Sequence, residues 1–173
     1  TYDTYAVSRI QPKALIGMGK KKWFLIDGDY TAGLALERDV IKAVEDFGGT
    51  VVGKVRVSLG AVNFGSSLLA ADNAKADVIM LGSSGSDLIN QVKQAREFGL
   101  QERNVLATPV SSFVDVHNVG LDAAQGLYVS EAFYWDLNDD TRAFSERFME
   151  RVKRVPTAAR AGVYSSVSHY LKA

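Results

Sequence analysis

Three short stretches carry the side chains that could do chemistry. The first is Asp27-Gly28-Asp29-Tyr30-Thr31-Ala32-Gly33, with two acids and a phenol in a glycine-punctuated turn. Asp27 and Asp29 could hold Mg²⁺ or accept a phosphoryl group, or could cap the helix that follows, while Tyr30 could stack on a flat ligand. The second is Gly82-Ser83-Ser84-Gly85-Ser86-Asp87, small residues and hydroxyls entering a helix. Backbone N–H groups there suit a carboxylate or another anion, and the alternative is that Ser86 simply caps the helix. The stretch lacks the lysine of a P-loop and the spacing of a dinucleotide fingerprint, so a nucleotide is not favoured. The third is Thr108 to Asp115, which holds Ser111, Ser112, Phe113 and Asp115.

Catalytic and metal chemistry find little support. The two histidines, His117 and His169, have no second ligand at metal spacing. There are no cysteines, which removes disulfides, thiol catalysis and Cys-based zinc sites together. No G-x-S-x-G elbow accompanies Ser111-Ser112-Phe113, so a Ser-His-Asp triad is not expected. The sequence therefore reads as a non-enzyme, without metal or cofactor.

The elements that must position these stretches follow from periodicity. Lys22 to Asp27 is a continuous apolar run, as in a strand covered on both faces. Leu36, Val40, Val44 and Phe47 then mark an amphipathic helix stopped by Gly48-Gly49. Thr50 to Val57 reads as a second strand, 64 to 75 as a helix, and Ala76 to Leu81 as a third strand. Leu88, Ile89, Val92 and Ala95 give a helix closed by Gly99, and Asn104 to Ala107 a fourth strand. The pattern loosens from 110 to 124 and returns as a fifth strand at Leu127 to Val129. Phe133, Tyr134 and Trp135 follow in an irregular segment; they could wall a pocket, and the favoured reading is cover for a core or a lobe interface. Two helices finish the chain: one starts near Asn138 and buries Phe144, Phe148 and Val152, and one follows Pro156 with Ala161, Tyr164, Val167 and Leu171 on a stripe. Pro12 falls inside an expected first helix, which should break there or begin there.

Strands alternating with helices imply right-handed βαβ units. The fold class is α/β: an open, doubly wound parallel sheet with helices on both faces, forming one domain over residues 1–173. Such a sheet binds ligands beyond the carboxyl ends of its strands, where the three stretches above would lie. Twenty basic and twenty acidic side chains cancel, which excludes the electrostatic footprint of a nucleic-acid binder. No apolar stretch approaches the length of a membrane span. The start at Thr1 is expected to reflect a processed precursor or a trimmed chain.

Several segments together resemble a known family. Thr1 to Tyr5, Lys22-Trp23-Phe24 leading to Asp29-Tyr30 and Gly33, Gln94 to Leu100, Gly126-Leu127 through Glu131 to Asp136, and Ala161 to Tyr164 are similar to the type I periplasmic solute-binding proteins of the branched-chain amino acid ABC transporter group. The resemblance implies a two-lobed protein with its ligand between the lobes. This sequence matches the second lobe, with the first lobe and the closing C-terminal segment outside it. It further implies that Tyr30 stacks on the ligand, with Asp29 beside it. Ser83 and Ser84 would form a second wall, and the loop of Phe113 and Asp115 a third contact. Amino-acid binders of the family usually place an acid in that third loop; Asp115 is the nearest here, beside Phe113, which tilts the expectation to an aromatic or other organic acid. The implied partners are the membrane subunits of an ABC transporter, the first lobe and, through the face it would cover, a second copy. The implied location is periplasmic. A flavodoxin-like or phosphoacceptor signalling domain using Asp27 or Asp29 is the alternative from another class.

Overall fold

The computed structural model describes residues 3–172, so Thr1 and Tyr2 of the first family segment lie outside the described residues. Five strands run in one direction: β1 (Lys22–Gly28), β2 (Thr50–Val57), β3 (Val78–Gly82), β4 (Val105–Thr108) and β5 (Leu127–Val129). They lie side by side in the order β2-β1-β3-β4-β5, every neighbouring pair parallel. Among the described residues seven α-helices connect and flank them: α1 (Thr4–Gly17), α2 (Thr31–Asp46), α3 (Gly65–Asn73), α4 (Gly85–Glu97), α5 (Phe113–Val119), α6 (Asp139–Val152) and α7 (Ala158–Lys172).

Alternation along the two central strands divides the core. Trp23 and Leu25 of β1, with Val78 and Met80 of β3, pack against Leu15 and Ile16 of α1 and Leu36, Val40 and Val44 of α2. Phe24, Ile26, Ile79 and Leu81 point the other way, onto Leu68 and Ala71 of α3 and Leu88, Val92 and Ala95 of α4. Both faces of β1 and β3 are thus dry, which is why their sequences are continuously apolar instead of alternating. The helix stops expected from glycine are present: Gly48 and Gly99 follow α2 and α4 with φ of 83° and 64°, a conformation that costs a side chain but not glycine.

Four expectations need correction. Helix α1 is neither broken at Pro12 nor begun there: it runs through Pro12 from an N-cap in which the Asp3 side chain accepts from the Ala6 N–H at 2.7 Å. Pro12 is buried on the packed face, so tertiary contacts override the lost backbone bond. The loose stretch after β4 contains α5, too short for periodicity to show but marked by Ser112 and Asp115 three residues apart. In α6 only Ser145 is buried; Phe144 and Phe148 are half-buried and Val152 is exposed. Helix α7 buries none of its residues, and its stripe of Tyr164, Val167 and Leu171 is open to solvent.

Candidate functional site

Because all five strands are parallel, the loops leaving β1, β3, β4 and β5 line one edge of the sheet, each about 4.8 Å from the next. The residues expected to act there do not share one fate.

In the first loop, Asp27 is fully buried with neither carboxylate oxygen hydrogen bonded, and its pKa is pushed up to about 7. Burial is the main cause and the negative charge of Glu37 adds to it, against a smaller opposing effect of Arg56 and Lys54. Such a group is closed to a metal ion or phosphoryl donor in solution, which removes Asp27 from the phosphoacceptor alternative. Neither acid caps α2. Asp29 is exposed, its backbone N–H donating to the Val57 carbonyl at 2.8 Å, and the N-cap position is held by Tyr30 without a side-chain bond. The Tyr30 ring lies over Gly28, which has no side chain to obstruct it, and is half-buried at the edge. Gly33 approaches the Gly28 carbonyl so closely that a β-carbon would collide with it, so the tightness of this loop depends on glycine at 33.

In the second loop, Ser83 is buried and accepts from Gln91 Nε2 at 3.1 Å, whereas Ser84 is exposed at the N-cap of α4. Ser86 is not the cap; its Oγ lies 3.3 Å from Asp87, whose other oxygen accepts from the Gly60 N–H at 2.9 Å. In the third loop, Asp115 accepts from both the backbone N–H and the hydroxyl of Ser112, at 2.8 and 3.0 Å, and so closes the capping box of α5. Phe113 is the first residue of that helix and half-buried. Of the six side chains expected to meet a ligand, Tyr30, Asp29 and Ser84 remain at the open edge, Ser83 and Asp115 already serve local structure, and Phe113 is split between the two.

A cleft of about 1000 Å³ opens at the β4 and β5 end of this edge. One wall comes from the loops after β4 and β5, including Val110, Ser111, Ser112, Asp115, Ser130, Glu131 and Phe133. The facing wall is the segment from Thr157 to Val167, dominated by Ala158, Ala159, Ala161, Gly162 and Val163 of α7. The Phe133 ring also packs edge-on against Phe144 at 5.7 Å, and Phe144 lies 5.0 Å from Tyr164, so an aromatic cluster ties α6 and α7 to the wall. Phe133 thus combines the covering role expected of its segment with a place in the cleft.

Three polar atoms at this wall, Ser111 Oγ, Ser130 Oγ and Glu131 Oε1, are buried without a hydrogen-bond partner among the described residues. Burial raises the Glu131 pKa, only partly countered by the Phe113 backbone N–H, and the nearby Asp115 charge raises it further. Sequence reasoning missed Glu131 and Ser130. The signal the sequence carries for them is their position immediately after β5, at the same sheet edge as the loops after β1, β3 and β4.

The described residues contain no cluster of three or more potential metal-ligating side chains, and no helix long and apolar enough to cross a membrane. The family model described as periplasmic binding protein matches residues 1–173. Among solved structures, a periplasmic binding protein from Burkholderia mallei is 37% identical with a TM-score of 0.90. A branched chain amino acid ABC transporter periplasmic ligand-binding protein from Burkholderia xenovorans is 35% identical with a TM-score of 0.93. Each alignment covers 99% of this chain and 46% of the other, so this chain spans less than half the length of these relatives. A solute-binding protein of an ABC transporter from R. palustris, in complex with 4-hydroxybenzoate, is 26% identical over 69% of this chain and 34% of its own, with a TM-score of 0.64. None of the curated proteins compared matches the chain.

Proposed function

From the premise that this chain belongs to the periplasmic binding protein family, we propose that it is the ligand-contacting lobe of a solute receptor that serves an ABC transporter. It holds a small organic molecule at the carboxyl edge of its sheet, in the periplasm, and passes it to the transporter's membrane subunits. The observation that carries this reading is the cleft at the β4 and β5 end: apolar walls over most of its surface, with a few inward polar groups lacking protein partners. That combination suits a small molecule with an apolar body and one or two polar groups, and it offers no catalytic constellation.

Two solute classes fit the relatives. The 35% identical Burkholderia xenovorans protein belongs to the branched-chain amino acid group, and the R. palustris protein holds an aromatic acid. Tyr30, with its ring laid over Gly28, and Phe133, in the cleft wall, give flat faces to an aromatic body. Asp29 and Ser84 border the same edge from the exposed side, and a first lobe closing over it would complete the second wall. Contact from one wall alone keeps affinity low.

The test is thermal unfolding of the chain against a panel of amino acids and aromatic carboxylates, since a ligand selective for the folded state raises the melting temperature. A shift of a few degrees that is reduced in Phe133→Leu, which removes the flat face from the cleft wall, supports the reading; a response to none of the panel overturns it for this chain.

A further inference from the structure

Toward the other end of the same sheet edge, a buried acid sits between two of the loops. Asp27 and Gly82 are partners across β1 and β3, and the Asp27 carboxylate lies beside Gly82 where a side chain would otherwise stand. Asp27 has no exposed surface, and neither of its oxygens has a hydrogen-bond partner among the described residues. The charged groups that face it are already engaged with one another. Arg56, its partner on β2, turns Nε and Nη2 to Glu37 of α2, and Lys54 donates to the same carboxylate. Strand β3 offers no titratable side chain, and Asp29, the next acid along the chain, is a further negative charge.

A neutral carboxyl fits this place and an ionised one does not, because a charge withdrawn from water and left without a partner is strongly disfavoured. To ionise, Asp27 must meet water. The parallel ladder between β1 and β3 ends at Asp27 and Gly82, so this last rung is the one that opens with least loss. Both strands lead from it straight into the solute edge: Gly28, Asp29 and Tyr30 follow on one side, Ser83 and Ser84 on the other.

We propose that Asp27 is a proton-operated latch on the solute edge. While it keeps its proton the ends of β1 and β3 stay closed; losing the proton parts them and loosens the loops that carry Tyr30, Ser83 and Ser84. As regulation of solute binding this rests on the reading above, whereas the movement itself is a property of the chain alone. Burial keeps the closed acid protonated up to about pH 7, while an open, hydrated Asp27 releases its proton near 3.8. Opening is therefore favoured progressively as pH rises between those values, by up to about 10-fold per unit, and Glu37 stays ionised throughout.

Amide hydrogen exchange, followed residue by residue by NMR at pH 5 and pH 7 and corrected for the intrinsic effect of pH, tests it. It is measured in wild type and in Asp27→Asn, which keeps the shape and cannot ionise. In wild type, protection at Gly28 to Tyr30, Gly82 and Ser83 is expected to fall at least ~10-fold between the two pH values. Exchange there should stay faster than at Phe24 to Ile26, the mark of a local opening, and α6, whose opening leaves Asp27 covered, should not respond. In Asp27→Asn the pH effect should disappear. The contrast of the loops with α6 and β1 needs no variant, so the test decides even if Asp27→Asn folds poorly. Protection independent of pH in wild type overturns the latch, and so does a fall shared equally by Phe24 to Ile26, which is global unfolding. Thermal shifts with the solute panel at pH 5 keep the two readings apart. Responsive exchange with no solute shift upholds the latch and overturns the solute reading; a solute shift with unresponsive exchange does the reverse.

Discussion

Asp27 and Gly82 sit side by side on β1 and β3, and the Asp27 carboxylate fills the space that a side chain at residue 82 would need. The pairing explains why a glycine ends β3 where its neighbours are bulky. Gly82→Ala should overpack this point, against a carboxylate with no exposed surface to which it could retreat, and cost about 1–3 kcal/mol. Urea unfolding measures it; a variant as stable as wild type would contradict the packing.

The same carboxylate makes stability depend on pH. Its pKa rises from an ordinary 3.8 to about 7 on folding, so between those values the folded state holds a proton that the unfolded state has released. Stability from this group is full below pH 4 and declines as pH rises toward 7, by roughly 2–4 kcal/mol at most. Asp27→Asn should flatten that slope, and parallel pH profiles for the two proteins between pH 4.5 and 7.5 would argue against it.

Glu37 acts in the opposite direction and in another window. Its pKa is held down at about 2, chiefly by the hydrogen bond from Arg56, with burial opposing it and Lys54 adding to the lowering. The bonds run from Arg56 Nε at 2.9 Å and Lys54 Nζ at 2.6 Å. Its contribution is present above pH 4.5 and lost as pH falls toward 2. Glu37→Gln should destabilise by about 1–3 kcal/mol at pH 7, since both cations can still reach water, and by much less at pH 2. Equal losses at the two pH values would exclude the ion pair as the cause.

Gln11 joins α1 to the half of the sheet that carries the cleft. Its Nε2 donates to the carbonyls of Thr108 and Tyr128 at 2.7 and 3.0 Å, just before the segments that supply Val110, Ser111 and Ser130. Gln11→Ala should cost about 1–3 kcal/mol and speed amide exchange at 110–112 and 130–131. Exchange unchanged in both segments would show that the bridge does not support the cleft wall.

Helix α7 leaves Val163, Tyr164, Val167, Tyr170 and Leu171 between 51% and 80% exposed, an apolar face of the kind that associates in water. The chain by itself is expected to sediment as more than a monomer at micromolar concentration, and a double change of Val167→Glu and Leu171→Lys should restore the monomer. A monomeric profile for the unaltered chain would remove the expectation.

Much of this fold is written in short segments. The runs Trp23 to Ile26 and Val78 to Leu81 are apolar at every position because both faces of a central parallel strand are dry, and they read as strands without any neighbour in view. Leu36, Val40 and Val44 announce one helical face, and Gly48 and Gly99 announce where helices stop, because these properties belong to a few consecutive residues. Family resemblance, carried by several such segments, was legible for the same reason.

What the sequence could not give are relations between segments far apart in the chain. Periodicity shows that α7 has an apolar stripe but not how much of it is covered: Phe144 meets Tyr164, while Val167 and Leu171 stay exposed. Asp27 reads as an open loop acid until β2, β3 and α2 close around it, and Pro12 reads as a helix breaker until its ring is packed against the core. Glu131 becomes a candidate only once β5 is placed next to β4 and α7 is laid opposite. Local propensity is fixed by neighbours along the chain, whereas burial, unbalanced charge and the walls of a cleft exist only after distant residues are brought together.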